Sequence, residues 1–186
     1  FQPGIFLHRT ADQGTNWETI QLFQNPTSDG PSLAINPTDD SLWVAYYQSQ
    51  RGFPEVARLT DDGQFESASN GWVFEDAGDS RFDEGYDPSI SISDTGQVGV
   101  AHYRCTTATE GLGNCNSNDD ALVFTYRQGE AWTQEKVVEG DLGACGMAPS
   151  LVWDSSNRPI IIYRCEVDTG NGFDTQLHWA RRSTAP

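Results

Sequence analysis

Apolar and polar positions alternate along this chain in a pattern that occurs three times. Each copy begins with Pro-Ser and an alternating apolar strand, and continues through a polar turn into a second apolar strand. The copies are PSLAINPTDDSLWVAYYQ from Pro31, PSISISDTGQVGVAHYRC from Pro88 and PSLVWDSSNRPIIIYRCE from Pro149. Strict alternation bounded by Gly, Asn, Asp and Ser predicts β-strands joined by turns. We place Tyr47, Tyr103 and Tyr163, near the ends of the second strands, at equivalent positions.

The segments between these copies also repeat. IFLHRTADQGTNWETIQLF from Ile5 aligns with ALVFTYRQGEAWTQEKVV from Ala121, and EVARLTDDGQFESASNGWVFE from Glu55 is a looser copy. QLHWARRST from Gln176 begins one more. Each repeat therefore reads as four strands in an antiparallel meander.

A four-stranded sheet cannot bury both of its faces alone, and stacking similar sheets around an axis solves this problem. The sequence predicts an all-β fold, a β-propeller of four-stranded antiparallel blades with about three blades in this chain. The one domain comprises a part blade (1–30), two blades (31–87 and 88–148) and a part blade (149–186), with each Pro-Ser strand innermost. Because closed propellers have about four to eight blades, we expect another segment or chain to complete the ring. A stack of unclosed β-sandwich units is the alternative.

One turn carries a family resemblance. TADQGTNW resembles the Asp-box of sialidase-like (BNR-repeat) propellers, with Asn16 where the box prefers Thr. A degraded copy runs from Thr125 to Trp132 and has Arg127 in the place of the Asp. The resemblance implies a structural hairpin on the face opposite the active site, with the tryptophan packed between blades. Its structural residues are Thr10, Asp12, Gly14 and Trp17.

The chain lacks the pattern for sialic acid hydrolysis that this resemblance implies. The family has an arginine two residues before the inner-strand proline, whereas Asp29, Tyr86 and Met147 occupy these positions here. Other glycosidases need two carboxylates, and the acidic loop EDAGDSRFDEGYD offers Asp87 and Glu84 as catalytic candidates. An acidic surface loop is the alternative. We therefore expect a binding or interaction module, with a portion of a sialidase-like glycoside hydrolase as the other hypothesis.

Charge narrows the choice of partners. The chain has 27 acidic and 11 basic residues, a formal net charge of −16. This charge repels phosphate backbones and anionic lipids, so we expect neither nucleic acid binding nor membrane insertion. Carbohydrate or protein is the expected ligand.

Four cysteines without a CxxC pair favour disulfides over a zinc site. Cys105 and Cys115 bracket one loop, so we predict that they pair, which leaves Cys145 to pair with Cys165. A secreted, periplasmic or cell-surface location follows.

Further ligand-binding candidates lie in loops on one face of the predicted propeller, the face that also carries the four cysteines. They are Tyr86, Asp87, Arg104 and Arg164, of which the two arginines recur beside cysteines and would meet an anionic ligand or pair with neighbouring carboxylates. DTGNGFD spaces oxygen atoms as compact calcium loops do, with Asp168, Gly170 and Asp174 as the predicted ligands. An ordinary turn is the alternative, and we expect no cofactor other than Ca²⁺.

Overall fold

The chain folds into antiparallel β-sheets. A computed structural model describes residues 4–23, 29–60, 71–116, 119–139 and 143–186. One turn of 3₁₀ helix, Ala108–Glu110, accompanies the strands. The strands are β1 (Ile5–Arg9), β2 (Glu18–Phe23), β3 (Asp29–Ile35), β4 (Leu42–Gln48), β5 (Phe53–Leu59), β6 (Trp72–Asp76), β7 (Phe82–Ile92), β8 (Val98–Thr107), β9 (Ala121–Gln128), β10 (Ala131–Glu139), β11 (Gly143–Trp153), β12 (Pro159–Asp168) and β13 (Phe173–Arg181). The all-β prediction is confirmed.

The strands form four sheets in chain order. β1 pairs with β2, β3 to β6 and β7 to β10 form two four-stranded meanders, and β11 to β13 form a three-stranded one. The antiparallel meander that the repeat predicts is therefore present. The first strands begin earlier than the proline boundaries, since β7 starts six residues before Pro88. Residues 61–70, in the middle of the looser copy, lie outside the described residues. No helix in the described ranges is long and apolar enough to cross a membrane.

Each sheet packs on the next, with an apolar cluster at each junction. Ile5, Ile20 and Leu22 of the first sheet meet Val44 and Tyr46 of the second. The second and third sheets share a cluster that contains Trp43, Val56, Ile90, Val98 and Val100. The third and fourth share one that contains Leu122, Phe124, Leu151, Ile161 and Tyr163.

The first strands of consecutive sheets lie beside one another. The Ile90 amide donates to Ser32 Oγ over 3.1 Å, and the Leu151 amide donates to Ser89 Oγ over 3.0 Å. The serine of the repeated Pro-Ser pair therefore joins its own sheet to the following one.

A β-bulge also recurs in the first strands. Register shifts lie between Asp29 and Ser32, Tyr86 and Ser89, and Met147 and Ser150. The residue before the repeated proline has positive φ in each: 62° at Gly30, 48° at Asp87 and 45° at Ala148. A bulge inserts one extra residue, which has no partner in the ladder, and bends the strand locally. The three copies therefore share one unusual backbone conformation.

The equivalence predicted for Tyr163 is wrong by one residue. The bulge positions Asp29, Tyr86 and Met147 lie opposite Tyr47, Tyr103 and Arg164. The β7–β8 and β11–β12 turns each leave five residues between paired strand ends, so the shorter proline-to-tyrosine spacing is not absorbed in the turn. Arg104 and Arg164 consequently occupy different repeat positions and point to opposite faces.

The predicted Asp-box is a closed hairpin turn. The Gly14 amide donates to Thr10 Oγ1 over 2.9 Å, and the Asn16 amide donates to Asp12 Oδ1 over 2.8 Å. Hydrogen bonds to Asp12 from the Asn16 amide, the Asn16 side chain and the Thr10 hydroxyl lower the pKa of Asp12 to about 2. Trp17, however, is 60% exposed and lies beside Gly14, because no described sheet covers that side of β1–β2.

The degraded copy places its tryptophan where the first was expected. Trp132 packs on the cluster between the second and third sheets, and its Nε1 donates to Glu75 Oε2 of the preceding sheet over 2.9 Å. Arg127, in the Asp position, also binds Glu75. The tryptophan that packs between two sheets is therefore Trp132, whereas Trp17 is exposed.

Candidate functional site

A buried carboxylate organises the end of the sheets where the first strands enter. Asp83 on β7 is 0% exposed. It accepts hydrogen bonds from the Tyr47 hydroxyl (2.7 Å), the Tyr86 hydroxyl (2.9 Å) and the Gly113 amide (2.7 Å). Tyr47 lies on the preceding sheet and Gly113 in the loop after β8, so one side chain fixes three segments.

The tyrosines around Asp83 form a packed group. The Tyr47 and Tyr86 rings stack with centroids 4.2 Å apart, and Tyr103 meets the edge of Tyr86 at 6.4 Å. Burial raises the pKa of Tyr86 to about 12 and that of Tyr47 further above its ordinary value. Both hydroxyls therefore stay protonated at neutral pH and act as donors. Of the three rings only that of Tyr86 is half-buried, whereas the other two are buried.

Two disulfides close the loops at this end. The structure pairs Cys105 with Cys115 and Cys145 with Cys165, which are the pairs that the sequence predicts. The first bridge closes the loop that carries Gly113 onto Asp83. Two disulfides are typical of an oxidising compartment, extracellular or periplasmic.

A second buried carboxylate lies beneath the other bridge. Asp120 accepts hydrogen bonds through Oδ2 from the Cys145 amide (2.8 Å) and the Tyr103 hydroxyl (3.2 Å). Its Oδ1 is buried and has no hydrogen-bond partner among the described residues. Burial raises the pKa of Asp120 to about 6, because an apolar setting disfavours the charged form.

Glu84, a predicted catalytic residue, is instead part of a buried ion pair. The residue is 0% exposed and its Oε2 lies 2.8 Å from Arg104 Nη2. Its Oε1 accepts hydrogen bonds from the Asp79 amide (2.7 Å) and Gln134 Nε2 (2.5 Å). Arg104 in turn lies 3.5 Å from the centroid of the Phe82 ring. Glu84 and Arg104 are therefore held away from solvent, which corrects the expectation that they contact a substrate or ligand.

The ion pair and the second disulfide occupy the same place in consecutive repeats. Glu84 pairs in register with Arg104 in the third sheet, and Cys145 pairs with Cys165 in the fourth. Both cross-strand pairs join the first strand to the second, four residues before the repeated proline. An ion pair in one sheet and a disulfide in the next thus join the first and second strands at equivalent positions.

The remaining predicted ligand residues lie on the surface at the entry of the first strands. We call this surface the first-strand rim, which comprises Asp29, Tyr86, Asp87, Met147 and Arg164. Asp29 and Asp87 are exposed, Tyr86 and Met147 are half-buried, and Arg164 Nη2 lies 3.1 Å from Met147 Sδ and 3.4 Å from Glu166 Oε1. A half-buried ring, two carboxylates and a guanidinium thus occur on neighbouring strands.

The predicted calcium loop is a turn between two strands. Asp168 lies opposite Phe173, and Asp174 lies opposite Val167. Adjacent residues of a strand point to opposite faces, so the carboxylates of Asp168 and Asp174 diverge. Gly170 instead donates its amide to Asp168 Oδ1 over 2.8 Å. No group of three His, Cys, Asp or Glu side chains able to hold a metal ion occurs among the described residues, so this geometry does not support a calcium ion here.

Sequence reasoning did not select Asp83 or Tyr47 as site residues. Asp83 is one of six acidic residues in the segment EDAGDSRFDEGYD, and the sequence pattern gives no sign of which of them turn inward. The signal that points to Tyr47 is its place opposite the bulge, which Tyr103 shares.

Comparisons with known proteins bear on the fold of this chain. No family model matches the chain, and no curated protein sequence does. Among solved structures, the chain is similar to the crystal structure of an unknown-function protein from Dyadobacter fermentans DSM 18053, with a TM-score of 0.60 and 12% sequence identity. The match covers 93% of this chain and 53% of that one, so this chain spans about half of that protein. At this identity the likeness shows a shared fold.

Proposed function

We propose that the chain is a segment of a secreted β-propeller that binds carbohydrate at the first-strand rim. The propeller arrangement is supported by the order of the sheets, since each one packs on the next. It is also supported by the serine-to-amide bonds between consecutive first strands. A radial stack with the first strands innermost accounts for both observations.

The observation that carries the ligand class is the setting of Tyr86. Its ring is fixed by Tyr47 on one side and its hydroxyl by Asp83, yet the side chain remains half-buried at the rim. A pre-oriented aromatic ring packs against the C–H face of a sugar at little entropic cost. The exposed carboxylate of Asp87 is the adjacent residue, and a carboxylate accepts strong hydrogen bonds from hydroxyl groups.

The same geometry disfavours catalysis. Hydrolysis of a glycoside by the usual route needs two carboxylates that flank the scissile bond. Glu84, the predicted partner of Asp87, is buried in its ion pair with Arg104. The rim residues therefore suit retention of a glycan better than its cleavage.

The test is calorimetric titration of the purified protein with a panel of neutral and basic oligosaccharides. We expect Asp87→Asn to weaken binding by about tenfold, the effect of roughly one charge-assisted hydrogen bond. Asp40→Asn is the matched control, because Asp40 is also exposed and has a positive φ of 57° in the β3–β4 turn. Equal losses in both variants, or glycan turnover that Asp87→Asn abolishes, contradict the proposal.

A further inference from the structure

One face of the fourth sheet carries a group of exposed apolar side chains. Ile162 is 52% exposed, Leu177 80% and Trp179 66%. They lie on β12 and β13, with Ile162 directly opposite Trp179. Together with Ile160 and His178 they line a groove of about 390 Å³. We call this surface the β12–β13 face.

The equivalent positions of the two preceding sheets are buried. Ala45 and Ala101 lie opposite the serine of the Pro-Ser pair, as Ile162 does, and both are 0% exposed. Val56 and Phe124 correspond to Trp179 in the third strands, and they are 0% and 1% exposed. Leu122, the counterpart of Leu177, is 0% exposed.

These positions are covered by the third sheet in the second sheet, and by the fourth sheet in the third sheet. Ala45 and Val56 belong to the cluster that contains Ile90, Val98 and Val100 of the third sheet. Ala101, Leu122 and Phe124 belong to the cluster that contains Leu151 and Ile161 of the fourth. The β12–β13 face therefore continues a packing interface that the chain already uses twice.

At the opposite end of the stack, an apolar position of the repeat is also exposed. Leu33 corresponds to Ile90 and Leu151, each two residues after the repeated proline. Leu33 is 53% exposed, whereas Ile90 and Leu151 are 5% and 4% exposed. Ile90 and Leu151 pack beside the first strand of the preceding sheet, and no described first strand lies beside Leu33. The first sheet already covers Val44 and Tyr46 at this end, so the element that would cover Leu33 is a first strand of the same kind.

From these observations we infer that the β12–β13 face is the docking surface for a further antiparallel sheet built on the same repeat, supplied by polypeptide outside residues 1–186. This rests on the proposed propeller. The side that this sheet turns to the β12–β13 face carries aliphatic residues, as Val98, Val100 and Ile161 do in the present chain. Burial of a leucine and a tryptophan against such a surface supplies strong apolar stabilisation.

The first measurement places a photo-crosslinking amino acid at position 179 in the protein expressed in its source organism. A matched probe replaces Gln128, an exposed residue at a hairpin end. We expect the probe at 179 to join a peptide outside residues 1–186 that carries the same Pro-Ser strand repeat, and the probe at 128 to give no such product. A crosslinked peptide without this repeat contradicts the inference. A crosslink to a second copy of residues 1–186, or a monomer with no crosslink, overturns the inference.

The second measurement adds the polypeptide identified in this way to the purified chain. We expect it to protect Trp179 from acrylamide quenching, read as the difference between the natural sequence and Trp179→Phe. Leu177→Glu should weaken this association by on the order of a hundredfold, as at an interface hot spot. The control Val73→Glu, at an exposed valine of β6, should leave it unchanged.

These results separate the inference from the proposed function. A polypeptide that leaves Trp179 open to quencher, or binds Leu177→Glu normally, overturns the docking surface. Absence of glycan binding with the crosslink intact contradicts only the ligand proposed for the first-strand rim.

Discussion

Replacement of Arg104 by methionine tests the buried ion pair. Methionine keeps much of the length of the side chain but removes the guanidinium that lies 2.8 Å from Glu84. Glu84 is 0% exposed, so its charge would lose its cation without gaining water. Removal of one partner from a buried pair costs about 3–5 kcal/mol of unfolding free energy.

The surroundings of Glu84 set where in this range the result should fall. The Asp79 amide and Gln134 Nε2 continue to donate to its Oε1, which retains part of the stabilisation. Loss of the contact between Arg104 and the Phe82 ring adds about 0.5–1 kcal/mol. We expect Arg104→Met to lower the free energy of unfolding by about 3–4 kcal/mol.

Urea unfolding with both disulfides intact, followed by near-ultraviolet circular dichroism, measures this loss. The double variant Glu84→Gln/Arg104→Met removes the uncompensated charge, so it should regain about 2 kcal/mol relative to Arg104→Met. A single variant that loses less than about 1 kcal/mol, with no recovery in the double, refutes the assignment of a buried, mutually dependent pair.

Three further predictions concern the same end of the fold. Because the pKa of Asp120 is raised from 3.8 to about 6 in the folded state, the protonated carboxyl stabilises the fold at low pH, and this stabilisation is lost as pH rises from about 4 to 6. In urea titrations, the free energy of unfolding of the natural protein should fall by up to about 3 kcal/mol over this range relative to that of Asp120→Asn. Replacement of Cys105 and Cys115 by serine should lower stability by about 2–3 kcal/mol, the effect of opening a ten-residue separation, and a thermal midpoint unchanged from the natural protein would contradict this. Gly85→Ala places its Cβ 2.5 Å from a backbone nitrogen of the neighbouring sheet and should unfold at much lower urea than Gly129→Ala, whose Cβ meets open space and which should lose only about 1 kcal/mol.

The sheets could be predicted from the sequence because their determinant is periodic and local. The Pro-Ser strands and the strand pairs that follow them appear in the structure as meanders in the expected order. The cysteine pairs also follow from their place in the repeat. The register of β12 could not be predicted, because Ile160, Ile161 and Ile162 are three consecutive apolar residues and the sequence gives no sign of which of them faces the core.

The candidate site depended on burial, which a run of acidic residues does not reveal. Asp83, Glu84 and Asp87 lie within five residues of one another, yet the first two are fully buried and the third is exposed. The difference comes from the bulge and from Gly85, whose φ of 102° brings the strand against the preceding sheet. Partners distant in sequence, such as Tyr47 and Gly113, then decide what each carboxylate contacts.

The bulge before each repeated proline keeps one backbone conformation while its residue differs from copy to copy. Gly30, Asp87 and Ala148 hold nearly the same left-handed backbone while presenting a hydrogen, a carboxylate and a methyl group. A non-glycine residue costs about 1–2 kcal/mol in this conformation, which the surrounding strand pairs sustain at two of the three positions. The side chains of Asp87 and Ala148 are exposed, so either can be exchanged without a change in the packing of the sheets. A Cβ at Gly30 would instead lie 3.0 Å from Pro88 Cδ and 3.3 Å from Asp87 Cα of the next first strand. If the rim binds a glycan as proposed, its specificity can therefore change by substitution at positions 87 and 148 while the fold stays the same, and position 30 is restricted to glycine.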